Sequence, residues 1–264
     1  MQPPAPSTPD DWRKVLTGEY PPIRAIRHLF ERIPTDPRCK LCSAPFGGIG
    51  GRIMPAFGFG RWEGNASLCK SCFRGFEKTG PGGAEIDVSL LFADIRGSTG
   101  IAERLQPVDF SRLLERFYGL ASEAILRHDG LIDKLVGDEV VAMFLPAIAG
   151  AGHAAHAIEA ARAVLAAVGA PDASPMGPIP VGAGIHTGTA FVGVVGQTKA
   201  AWDFTAVGDP VNTAARLAAA AKAGEVLVSL DAASAAGLAL DGLDRRPLDV
   251  RGRSEPIEVV SLLA

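Results

Sequence analysis

The spacing of apolar residues over positions 86–262 predicts an α+β fold, and three observations carry that prediction. Ile86, Val88, Leu90 and Phe92 alternate, the period-two signature of a strand. Phe110, Leu113, Leu114, Phe117, Ala121, Ala124 and Ile125 then trace one face of a helix that starts after Pro107. Beyond it, Leu131–Val136 and Val140–Leu145 are two short apolar runs separated by Gly137-Asp138, the pattern of a hairpin. With a helix over about 151–169 and a strand at Val181–Ile185, the order is strand–helix–strand–strand–helix–strand. That is the ferredoxin-like arrangement, an antiparallel sheet with helices.

The elements follow in order. Ile23, Ile26, Phe30 and Ile33 repeat at helical spacing between Pro21-Pro22, which opens a helix, and Pro34, which closes it. Arg24, Arg27 and Arg32 interleave with them. The expected role is a short packed helix, with a basic membrane-surface helix as the alternative. Thr79-Gly80-Pro81-Gly82-Gly83 reads as a flexible junction and divides residues 1–80 from a second domain over 81–264. The first strand should end at Asp94, with Ser98 or Thr99 as N-cap of the next turn of helix. Gly130 should stop the long helix. Pro210 sits just inside the start of a helix over 210–222, and Val226–Ser229 and Ile257–Leu262 complete the sheet.

At 264 residues with 47% hydrophobic and 21% charged residues, the chain can bury a sizeable core. A net charge of −3 without a long basic run argues against a nucleic-acid binder. No uncharged apolar stretch reaches the ~18 residues of a membrane span, the Ala-rich stretch 147–170 being interrupted by His153, His156, Glu159 and Arg162. The start MQPPAPSTPDDW has no secretion-signal pattern. The expected location is a reducing cytoplasm. The charge is uneven: residues 1–80 hold 12 Lys/Arg against 7 Asp/Glu, and residues 81–264 hold 14 against 22.

All four cysteines lie in the first segment, as Cys39-x2-Cys42 and, after 26 intervening residues, Cys69-x2-Cys72. Two Cys-x-x-Cys pairs in a reducing compartment read as a tetrahedral thiolate site in a small zinc-ribbon-like module. Structural Zn²⁺ is the expected occupant, and ligation by four cysteines also permits an iron–sulfur cluster. The Gly-rich stretch between the pairs is poor in helix formers, so metal binding should supply much of its folding free energy.

Two acids stand out in the second domain. Asp94 ends an apolar strand before Gly97-Ser98-Thr99, and Asp138 sits at the hairpin tip. In the ferredoxin-like order these strands are neighbours, so both carboxylates can meet at one end of the sheet. Paired carboxylates suit Mg²⁺ or Mn²⁺, and the amides of Gly97, Ser98 and Thr99 suit phosphate oxygens. Asn212 and Arg216 are four apart and share a helix face. His153, His156 and His186 are expected to be structural, His186 at a strand end.

Leu91–Thr99, Lys134–Asp138 and Thr205–Arg216 together resemble three motifs, in the right order, of the class III nucleotidyl cyclase catalytic domain, over about residues 85–264. The cysteine module resembles N-terminal extensions of some bacterial cyclases. The resemblance implies a nucleotidyl cyclase that closes a nucleoside triphosphate to its 3′,5′-cyclic monophosphate and pyrophosphate, in a homodimer with two composite sites. The donors and acceptors that read the base make the expected enzyme an adenylate cyclase acting on ATP. It implies that Asp94, Asp138 and the carbonyl of Ile95 hold two Mg²⁺ or Mn²⁺ ions. Lys134 and Thr205 would read the base, Asn212 would place the ribose, and Arg216 would stabilise the transition state. Arg251 matches a phosphate-binding position, with Lys199 a weaker candidate.

Adenine offers an acceptor at N1 where guanine offers a donor, so a donor-only Lys134 favours ATP. Thr205 stands where many adenylate cyclases carry Asp, and its hydroxyl is a weaker acceptor, which loosens selection against GTP. A guanylate or dual-specificity cyclase, a non-catalytic nucleotide-binding metal or redox sensor, and a diguanylate cyclase are the rival readings.

Overall fold

A computed structural model describes residues 6–62, 65–175, 177–197, 202–249 and 256–263. In chain order the elements are α1 (Pro9–Thr17), α2 (Pro21–Glu31), α3 (Gly48–Ile53), β1 (Arg61–Trp62), β2 (Asn65–Cys69), α4 (Lys70–Thr79) and β3 (Gly82–Ile95). Next come α5 (Ser98–Arg104), α6 (Pro107–Arg127), β4 (Leu131–Val136), β5 (Glu139–Phe144), α7 (Pro146–Ala149) and α8 (His153–Gly169). The chain continues through β6 (Val181–Val195), β7 (Asp203–Val207), α9 (Asp209–Ala220), β8 (Glu225–Ser229), α10 (Leu230–Ala235), β9 (Asp244–Leu248) and β10 (Ile257–Leu263).

The main sheet has the order β4-β5-β3-β6-β8-β10-β9, with β7 paired to β6. Its β4-β5-β3-β6 part is the strand order expected of a ferredoxin-like unit whose four strands are β3, β4, β5 and β6. β3 is antiparallel to β5, and β6 runs parallel to β8. Not only the alternating residues of β3 are buried: Ser89, Leu91 and Ala93 are as inaccessible as Val88 and Leu90. A strand in mid-sheet, covered on both faces, loses its polar alternation.

Contacts divide the described residues into two compact units, with β3 and β6 contributing to both. The first holds residues 1–86, 145–151 and 190–207; the second holds the remainder. In the second unit, the α6 face of Leu113, Phe117, Ala121 and Ile125 packs with Leu91, Val140 and Phe144 of the sheet and with Ala157, Ala161 and Val164 of α8. In the first unit, Thr8 and Asp11 form a capping box on α1, which buries Trp12, Val15 and Leu16. The Arg38 guanidinium donates to the Phe30 and Ile33 carbonyls at the end of α2, satisfying acceptors that the helix leaves open. Phe30 meets Phe59 edge to face, with ring centroids 5.1 Å apart.

Several local expectations are corrected. Gly82 and Gly83 belong to β3 rather than to a flexible junction; a Cβ on Gly83 would lie 2.3 Å from the Val192 carbonyl oxygen, so the glycine permits close strand approach. The Gly-rich stretch between the cysteine pairs contains α3 and a 3-10 turn over Met54–Phe57. Asp129, at φ 61°, takes the left-handed position after α6. Gly130 is needed instead for space, because its Cβ would sit 2.5 Å from Ile125 Cγ2. Gly97, at φ 68°, is the N-cap of α5, and Ser98 and Thr99 are its first two helical residues. β6 extends ten residues past Ile185, which places His186 inside the strand and not at its end.

Candidate active site

Register across β3 and β5 assembles the acidic centre. Asp94 lies directly opposite Glu139, and the Ile95 amide donates to the Asp138 carbonyl at 3.1 Å. The hairpin turns at Gly137 with φ 60°, and the Tyr118 hydroxyl on α6 donates to the Gly137 carbonyl, pinning the turn. Asp94 and Asp138 therefore meet at one end of the sheet, as the neighbouring strands of the ferredoxin-like order lead one to expect.

The electrostatics of this corner are strained. Burial pushes the Asp94 carboxyl up to about 6; Arg96 opposes the rise and the neighbouring Asp138 carboxyl adds to it. Glu139 is pushed up to about 7 by burial and by the charges of Asp94 and Asp138. Among the described residues no donor reaches the buried Asp94 Oδ1, while Oδ2 accepts from Arg96. Three crowded carboxylates with a bare buried oxygen form a hard, oxygen-rich donor set, which fits a divalent cation such as Mg²⁺ or Mn²⁺.

The remaining candidates lie on separate elements. Lys134 is on β4 just after a bulge at Asp133, its Nζ 3.8 Å from Asp133 Oδ2. Asn212 is exposed on α9, and Arg216, one turn later, is half-buried. Their helix is seated closely. A Cβ on Gly184 of β6 would lie 2.1 Å from the Ala218 amide nitrogen and 2.6 Å from the Ala214 carbonyl oxygen. Thr205, on β7, belongs to the first unit and is 5% exposed, with its hydroxyl 3.4 Å from the Ala206 carbonyl. Lys199 and Arg251 lie outside the described residues.

The profile of the adenylate and guanylate cyclase catalytic domain matches residues 84–262. The chain belongs to that family. Over 135 residues (50% of the chain, 20% of the relative) it is 39% identical to adenylate cyclase 1 of Rhizobium meliloti (strain 1021). An uncharacterized protein of Mycobacterium tuberculosis (strain ATCC 25618 / H37Rv) is 32% identical over 193 residues, 69% of the chain and 34% of the relative. The chain thus spans a fifth to a third of the length of these curated relatives. The crystal structure of the adenylyl cyclase CyaB from P. aeruginosa superposes with a TM-score of 0.60 at 29% identity, covering 68% of this chain and 95% of that one. The guanylyl cyclase Cya2 gives a TM-score of 0.61 at 24% identity, over 67% and 91%, a likeness of fold.

The cysteine cluster forms as the spacing predicts. Ligand atoms of Cys39, Cys42, Cys69 and Cys72 all lie within 4.8 Å of one another, and all four side chains are buried. The Cys42–Cys69 and Cys39–Cys72 sulfur separations are 3.6 and 3.9 Å. A tetrahedron with Zn–S bonds of about 2.3 Å has edges of about 3.8 Å. The Cys69 amide donates to Cys39 Sγ at 3.3 Å and the Cys72 amide to Cys69 Sγ at 3.4 Å, contacts that hold the two sulfurs in place.

Three participants escape a reading of the sequence. Arg96 stands inside the first motif without a role, Glu139 gains significance only through its register opposite Asp94, and Tyr118 acts through a tertiary contact. For Glu139 a signal exists, because a carboxylate that follows the hairpin Asp must pair with the strand bearing Asp94. No helix among the described residues is long and apolar enough to cross a membrane.

Proposed function

We propose that the chain is an adenylate cyclase converting ATP to 3′,5′-cyclic AMP and pyrophosphate. The observation that carries the cyclase reading is the buried Asp94 Oδ1 beside Asp138, which no donor among the described residues reaches. The donor-only Lys134 supports the choice of ATP. Asp94, Asp138 and the Ile95 carbonyl would hold two Mg²⁺ or Mn²⁺ ions, which when bound neutralise phosphate charge and make the ribose 3′-hydroxyl more acidic.

The substrate's 3′-oxygen attacks its own α-phosphorus, the bond to the β-phosphate bridging oxygen breaks, and the hydroxyl proton passes to water. Attack is intramolecular, so the chain's residues act by placement and charge. The amides of Gly97, Ser98 and Thr99 receive phosphate oxygens, and Arg251 takes the departing pyrophosphate. Asn212 orients the ribose, and Arg216 meets charge that develops in the transition state. Lys134 donates to adenine N1 and Thr205 accepts from N6, with both acting across the interface of a homodimer. The four-cysteine cluster is read as a structural Zn²⁺ site that holds the N-terminal module together; its sulfur spacing supports that reading.

The test supplies purified chain with Mn²⁺ and either ATP or GTP and identifies the product. Cyclic AMP formed in preference to cyclic GMP is expected. Cyclic GMP as the main product, or no cyclisation under reducing and oxidising conditions alike, would refute the adenylate reading.

A further inference from the structure

The two oxygens of the Asp94 carboxylate are unlike: Oδ2 accepts from Arg96 Nη2, and Oδ1 is buried without a donor among the described residues. The same guanidinium donates through Nε to the Asp94 carbonyl at 3.2 Å and through Nη1 to the Ala219 carbonyl at 3.0 Å. The Arg96 amide donates to the Pro180 carbonyl at 2.6 Å, which fixes the base of the side chain. Ala219 lies in the last turn of α9, where carbonyls have no intrahelical donor and the helix dipole is negative. A planar, forked cation fits all three acceptors at once.

We propose that Arg96 is a positioning residue for the divalent-cation site: by engaging Oδ2 it presents Asp94 Oδ1 to the metal, and it ties that carboxylate to the helix bearing Asn212 and Arg216. The inference rests on the assignment of Asp94 as a metal ligand. Its opposite is that Arg96 is a competitor which the metal must expel. The bare Oδ1 favours positioning, since a competitor would be expected to cover the ligating atom. The two roles predict opposite signs. Deleting a cation beside an acidic site strengthens metal binding by Coulomb's law, whereas deleting an outer-shell partner of a ligand weakens it, typically about 10–100-fold.

The experiment titrates Mn²⁺ alone into the full chain and follows unbound Mn²⁺ by electron paramagnetic resonance. Wild type, Arg96→Ala, Arg96→Lys and Asp94→Ala are compared, with thermal unfolding run in parallel. Arg96→Ala should bind Mn²⁺ about 10–100-fold more weakly, and Arg96→Lys should fall between it and wild type, because lysine restores the charge but not the fork. Unchanged or tighter Mn²⁺ binding in Arg96→Ala overturns the proposal. If Arg96→Ala does not fold, a weakened Arg96→Lys with wild-type unfolding temperature supports it, and an unweakened one overturns it. Asp94→Ala separates the two layers. Lost binding there with intact binding in Arg96→Ala removes the positioning role alone, while full binding in Asp94→Ala removes the metal assignment and the inference with it.

Discussion

Asp138 is the more informative of the two acids to change, because its role is separable from folding. Its backbone is held by the Ile95 amide, and its turn by Tyr118 through the Gly137 carbonyl; neither contact uses the Asp138 side chain. Asp138→Ala should therefore leave the unfolding temperature within a few degrees of wild type. Turnover should fall by about 10³-fold or more, the scale expected when a metal worth several kcal/mol of transition-state stabilisation is lost. Retained turnover in a folded Asp138→Ala protein would contradict the metal assignment. Both acids are legible in the sequence because each sits at a break between strand pattern and glycine. Glu139 and Arg96 are less so, since what they do is decided by cross-strand register and by a helix end 123 positions away in the chain.

Helix α9 and strand β8 show how the elements carry the site. Glycine is the only residue type that fits at position 184, where the β6 backbone meets α9, since an added Cβ would penetrate the Ala218 amide and the Ala214 carbonyl. Gly184→Ala should displace α9, cost about 1–3 kcal/mol of stability by overpacking, and lower turnover by about 10²-fold through misplacement of Asn212 and Arg216. Wild-type turnover in a destabilised Gly184→Ala protein would show that the helix position is not critical. The turn after α9 is anchored differently. Buried Glu225 accepts from the Lys222 amide at 2.8 Å, Arg246 at 2.7 Å and Ser261 at 2.7 Å, joining β8 to β9 and β10. Burial raises the Glu225 carboxyl, but these donors outweigh it and hold the group below its ordinary value. A lowered folded-state pKa gives stability that is complete above the usual glutamate value of about 4.3 and is lost as pH falls through the folded value. Glu225→Gln should cost about 1–3 kcal/mol at neutral pH, and its unfolding temperature should fall less steeply below about pH 4 than that of wild type. Parallel acid limbs for the two proteins would refute the assignment. Nothing in the periodicity announces this anchor: β9 is charged and short, and Glu225 looks like a surface residue until its partners arrive from two other strands.

At the scale of the whole molecule, the ferredoxin-like order is readable because the first strand and the long helix have a clear period and the hairpin strands are apolar runs broken at Gly137-Asp138. β7 is harder to read, because Asp203–Val207 is only five residues long and the Gly208-Asp209-Pro210 that ends it also opens α9. The dimer is where the proposed mechanism is most exposed to test. If Asn212 and Arg216 serve the partner's metal site, an Asp94→Ala chain and an Arg216→Ala chain should each be inactive alone. In their heterodimer both lesions fall in one composite site, and the other site holds Asp94 from one chain and Arg216 from the other, intact. Random twofold pairing of equal amounts then makes about half the dimers mixed, each with one working site, so about a quarter of wild-type activity should return. The return should grow with incubation time as subunits exchange, and it should vanish when exchange is blocked by cross-linking each variant beforehand. Activity that never exceeds the sum of the two inactive parents, with mixed dimers verified by mass, would place Asp94 and Arg216 in the same chain's site and end the shared-site mechanism.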